Sequence, residues 1–128
     1  EIPVVEEEKI QEDSLVVSHY ICYTYDSGTT GRIWISFTEE EKALEIRYEG
    51  QTSSLKLEYE REVIHEDGLV PSIDTYYQEI YEGKVNGQYK LTHSGNWDYV
   101  VYTRGRDGKK FTFTIDHEAN PYGSTPCF

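Results

Sequence analysis

The residues best suited to recognising another molecule are aromatic. Trp34, Tyr20, Trp97, Tyr99, Tyr76 and Tyr77 each join an apolar body to a polar handle, a combination enriched where proteins bind other molecules. Trp34 falls opposite Ile33, Ile35 and Phe37, flanked by Arg32 and Ser36, so it lies on the less apolar face of its segment. Tyr20 shares a face with Cys22 and has the same ambiguity. The same side chains would also serve to fill the second face of a thick core. Other chemistry finds less support. No Gly-x-Ser-x-Gly elbow occurs. His93 and Ser94 are adjacent, but neighbours on a strand point to opposite faces.

The four histidines are His19, His65, His93 and His117, and none has a His-x-His or His-x3-His spacing. His65-Glu66-Asp67 and Asp116-His117-Glu118 gather metal-ligand types but read as polar strand ends. His19 reads as a satisfied buried imidazole. No calcium-loop pattern occurs, so neither a metal site nor a cofactor is expected. With 24 acidic residues, carboxylate pairs are too plentiful to be informative. Glu45, Glu49, Glu58 and Glu60 read as solvated strand positions, and no acid stands alone in an apolar run where burial would raise its pKa. The expectation is a protein that is not an enzyme.

Two cysteines, Cys22 and Cys127, make an even count that fits one disulfide. Cys22 lies in an apolar strand-like run, and Cys127 ends the Pro- and Gly-containing stretch 120–126. A bond between them would tie back the tail 118–128 and close a loop of about 100 residues. It would also place the chain in an oxidising setting, secreted or periplasmic. The chain contains no Met and starts at Glu1, as one trimmed of a signal peptide would. Residues 1–13 hold Glu1, Glu6, Glu7, Glu8, Glu12 and Asp13 against Lys9 and read as a disordered acidic leader.

The elements that must position these residues are strands. Val, Ile, Thr, Tyr, Phe and Trp supply 48 of the 128 residues, against 2 Ala, 6 Leu and no Met. These are types that fit a pleated, half-buried surface. From Ser14 onward apolar residues alternate with polar ones, as in Ile33, Ile35 and Phe37, in Leu44, Ile46 and Tyr48, or in Phe111, Phe113 and Ile115. Turn residues separate the runs at 26–31, 50–53, 67–68, 94–96 and 107–108, and Asn86-Gly87 is a hairpin signal. Residues 72–83 are ambiguous. Ile73, Tyr76, Tyr77, Ile80 and Tyr81 have helical spacing, with Ser72 as cap and Gly83 as stop, yet they also alternate as a strand. The pattern favours a short helix there, slightly. The whole predicts a single antiparallel β-domain over 14–128, of about eight strands, as a small up-and-down barrel or a strongly curled sheet.

A formal charge of −12 excludes non-specific binding to nucleic acid or to an anionic membrane surface, since both need a positive patch. No apolar run is long enough for a membrane-inserted helix. The basic segment Arg104–Lys110 reads as a solvated hairpin tip, with contact to an anionic ligand as its other use.

Two family patterns bear on function. Gly95-Asn96-Trp97 resembles the Gly-x-Trp of lipocalins, but that motif opens their first strand and here it falls late, so no lipocalin residue is carried over. The placement of Cys22 and Cys127 around an acidic β-domain resembles the small periplasmic lysozyme inhibitors of the barrel type. The likeness is confined to the cysteine layout and does not extend to their inhibitory loop. Two functions follow as expectations. The first is a small-molecule binder using an aromatic-lined barrel interior or mouth. The second is an acidic inhibitor or partner of a cationic protein, with a filled barrel and a protruding loop at 26–31 or 94–97.

Overall fold

Period-two alternation puts one set of side chains on the inside of a curled sheet, and the sheet closes on itself. The computed structural model describes residues 16–27, 31–119 and 121–128; the leader 1–13 lies outside them. The strands are β1 (His19–Tyr25), β2 (Arg32–Phe37), β3 (Ala43–Tyr48), β4 (Leu55–His65), β5 (Ser72–Tyr81), β6 (Lys84–Ser94), β7 (Trp97–Arg104) and β8 (Lys110–Ile115). Each pairs antiparallel with the next, and β8 returns to β1 through Tyr23↔Ile115, Thr24↔Thr114 and Tyr25↔Phe113. The result is a closed eight-stranded up-and-down barrel, as the alternation predicts. No helix long and apolar enough to cross a membrane occurs among the described residues.

The middle of the barrel is filled. Ile33, Ile35, Ile46 and Val100 are fully buried there beside Tyr77 and Tyr89. Register shifts occur at Ser36/Phe37, Tyr59/Arg61 and Glu79/Ile80, and such bulges bend strands around a small barrel.

Two expectations are corrected. Residues 72–81 are strand β5, not a helix. The helical spacing of its apolar residues is a coincidence of a Tyr- and Ile-rich strand. Pairing with both β4 and β6 satisfies its backbone on each side, which a helix lying across the barrel would forfeit for both neighbours. The β5–β6 hairpin turns at Glu82-Gly83, both in the left-handed region at φ 51° and 77°, which suits a tight turn between twisted strands. Asn86-Gly87 therefore lies inside β6, where Gly87 answers to packing.

Outside the barrel, the tail forms a second small core over β1 and β2. Tyr20 and Gly123 make an isolated bridge, with Tyr20 N–H donating to Gly123 O at 2.9 Å and Tyr122 N–H to Tyr20 O at 3.0 Å. Cys127 bonds to Cys22 across a sequence separation of 105. Trp34 is buried beneath, edge-on to Tyr20 at 5.2 Å between centroids and 6.4 Å from Phe128. A disulfide of this kind persists in an oxidising compartment. Removing it as Cys22→Ser with Cys127→Ser is expected to lower unfolding free energy by roughly 2–5 kcal/mol. Urea denaturation of the variant beside the oxidised wild type would read this as a lower midpoint.

Candidate functional site

Inward positions of β5 run Ile73, Thr75, Tyr77, Glu79, so alternation delivers a carboxylate into the barrel. Glu79 is 2% exposed. A buried carboxylate is costly unless hydrogen bonds or an opposite charge replace its water. Here three neutral donors meet it. Tyr89 donates its hydroxyl to Oε1 at 2.5 Å, Asn86 donates Nδ2–H to Oε2 at 2.6 Å, and Tyr102 donates to Oε2 at 3.1 Å. The hydroxyls of Tyr48 and Tyr89 are also hydrogen-bonded. Since Tyr89 spends its only proton on Glu79, Tyr48 is the donor in that pair.

The strands explain how these groups converge. Glu79 pairs with Gly87 on β6, and Gly87 pairs with Arg104 on β7. Tyr89 faces Tyr102 one inward position along, their rings 4.5 Å apart. A Cβ at Gly87 would lie 2.5 Å from the Tyr102 ring and hydroxyl. Absence of a side chain at Gly87 thus lets Tyr102 lean across β6 and reach the carboxylate. Burial first, then the Glu79 charge, pushes the Tyr102 hydroxyl up to about 12. Burial also raises Tyr48 and Tyr89 well above the ordinary phenol value; beyond that, neighbouring Tyr48 and Glu79 raise Tyr89. These hydroxyls stay neutral and able to donate at physiological pH.

A cavity of about 390 Å3 opens above this cluster, at the end of the barrel bordered by Gly31, Gln51, Asn86 and Arg104. Tyr25, Tyr48, Phe111, Phe113 and Leu55 supply its apolar wall, and Glu79, Asn86 and Tyr102 its polar floor. Two arginines at the rim are already matched. Arg32 pairs with Glu49 at 2.8 Å. Arg104 donates to both Asp107 oxygens, at 3.0 and 2.7 Å, and these bonds with the Lys109 N–H hold the Asp107 carboxyl well below its usual range.

The opposite mouth holds a second, more polar cavity of about 430 Å3. His93 Nδ1 lies 2.8 Å from Asp98 Oδ1, and Tyr122 donates to Asp98 Oδ2 at 2.8 Å. Burial, then Asp98, pushes the Tyr122 hydroxyl up to about 12. Among the described residues no group of three or more His, Cys, Asp or Glu is placed to hold a metal ion.

The six aromatic candidates do not form one site. Tyr77 points inward, receives the Ala43 N–H at 2.9 Å, and lines the second cavity. Tyr99 also borders that cavity, half-exposed and parallel to Trp97 at 6.4 Å. Trp97 packs edge-on against His117 at 4.7 Å. Tyr76 lies on the outer face under the Arg61 guanidinium, 3.8 Å from its ring centroid. Trp34 and Tyr20 lie beneath the tail. Sequence reasoning missed Glu79, Tyr89, Tyr102, Tyr48 and Asn86. One signal was available: Glu79 is a lone acid on the face that Ile73, Tyr77 and Tyr81 share.

The barrel and its buried carboxylate thus define a closed β-barrel protein with a polar-floored, aromatic-walled mouth. The chain matches no protein-family model, no curated protein and no solved structure.

Two predictions follow from the cluster. Gly87→Ala must displace Tyr102, and such overpacking is expected to cost roughly 1–3 kcal/mol, read by urea denaturation against wild type. The raised tyrosines keep their protons in the fold at a pH where the unfolded chain has lost them. Their contribution is intact below about pH 10 and is lost as pH rises toward the folded values, by about 1.4 kcal/mol per pH unit for each such tyrosine. Native absorbance at 295 nm should therefore show part of the tyrosines titrating only when the barrel unfolds.

Proposed function

We propose that the protein is an exported, secreted or periplasmic, non-enzymatic binding module. It takes a small ligand into the aromatic-walled cavity above Glu79. The observation that carries this reading is the pairing of an open apolar cavity with a fixed polar floor. Ligand sites are concave and mostly apolar, with a few convergent polar groups that set orientation. The floor groups are held by packing and by one another, so a ligand would not have to order them.

A second reading, an acidic inhibitor or partner of a cationic protein, has its own support at the opposite mouth. The connections there, 38–42, 66–71, 95–96 and 116–119, carry Glu39, Glu40, Glu41, Glu66, Asp67, Asp116 and Glu118 against Lys42 alone. That concentration would steer a basic partner. The 94–97 segment named as a protruding loop is a tight hairpin, its Asn96 carbonyl accepting from His117 at 2.8 Å. The 26–31 loop lies partly outside the described residues.

Native mass spectrometry of protein purified undenatured from its own source separates the two. Small-ligand binding predicts a retained adduct that a Leu55→Trp variant, with its cavity wall filled, does not carry. A clean ligand-free mass for the wild type would count against it and favour the protein partner.

A further inference from the structure

We infer that the ligand of the upper cavity is a small organic cation, its ammonium group directed at Glu79 and its apolar part against Tyr25, Tyr48 and Phe113. This rests on the cavity being the binding site. Glu79 is 2% exposed, yet its three hydrogen-bond donors among the described residues are all neutral. The ion pairs among the described residues use Arg32, Arg61, His65, His93 and Arg104, and none involves Glu79. That no cation among the described residues pairs with Glu79 is informative because a guanidinium is available nearby. Arg104 stands on the same inward row, across Gly87, but turns away to Asp107 with two hydrogen bonds.

The carboxylate also has capacity left. An ionised carboxylate offers about four acceptor positions, and three are in use. The remaining one belongs to a group that lines the cavity. An ammonium placed there would supply both the fourth hydrogen bond and the absent charge, a pairing stronger than a neutral hydrogen bond. The walls suit the same ligand, since aromatic faces attract organic cations. Tyr25 and Tyr48 meet Phe113 with centroids 5.4 and 6.4 Å apart, making an aromatic corner. At the rim Arg32 and Arg104 are each matched by an acid, and Lys109, 5.4 Å from the Phe111 ring centroid, is the positive charge an entering cation must pass.

The test uses three probes of similar shape: phenethylammonium, phenethyl alcohol and phenylacetate. Each is titrated by calorimetry against the oxidised full chain at pH 7 and low salt. The ammonium should bind at least tenfold more tightly than the alcohol, and phenylacetate most weakly. Glu79→Gln should abolish that preference, and Leu55→Trp should abolish binding of all three. If Glu79→Gln does not fold, the rank order in the wild type decides alone. If the alcohol or phenylacetate equals the ammonium and Leu55→Trp still abolishes binding, the cation assignment is overturned and the cavity reading stands. No binding by any probe, or binding that Leu55→Trp leaves intact, overturns both.

Discussion

Closure of the sheet is the constraint on which everything else depends. β8 meets β1 through only three residue pairs, whereas the β4–β5 and β5–β6 ladders are long. An open sheet of this composition would expose two edges and the aromatic side chains of its inner face. Closure removes the edges and creates an interior that side chains must fill. Eight strands enclose a space that residues of ordinary size can just occupy. The isoleucines of β2 and β3, with Val100, Tyr77 and Tyr89, fill its middle. Both mouths are left less completely filled. Cavities at the ends are thus a property of how a short barrel distributes its volume.

Glu79 is the departure from an apolar interior. Its burial imposes conditions on three strands at once. β6 must supply Asn86, Tyr89 and a glycine at 87; β7 must supply Tyr102; β3 supplies Tyr48 behind Tyr89. Loss of one donor would leave a buried charge less well satisfied, which is more damaging than never having buried it. The cluster fixes the register of β5 against β6 near a bulge, where pairing alone specifies it least.

Much of the fold was legible in the sequence. Alternation located the strands and predicted sequential antiparallel pairing, and the even cysteine count predicted the disulfide that forms. Residues 72–81 misled because apolar residues three and four apart arise by chance in a strand rich in Tyr and Ile, and local spacing carries no information about flanking ladders. Asn86-Gly87 misled because a glycine needed for close approach looks the same as one needed for a turn; Gly87 lies under Tyr102. The candidate site was less legible. Aromatic type marks a residue as able to bind but does not say which way it faces, so Trp34, Tyr76 and Trp97 drew attention while lying on the outer side. The floor of the cavity comes from β5, β6 and β7, and its convergence is a product of closure that no local window contains.

The tail also links the two mouths. Tyr122 holds Asp98, which borders the lower cavity, and Phe128 lies under the Arg32 guanidinium at 5.4 Å, on the rim of the upper one. Between them Cys127 is bonded to the middle of β1. The segment runs along the outside of the barrel, held at Tyr122 and Gly123 by hydrogen bonds to Asp98 and Tyr20 and, one residue from its other end, by sulfur. The two rims are thus secured by different means: sulfur beside Phe128 at the upper one, and hydrogen bonds that would outlast its reduction at the lower one.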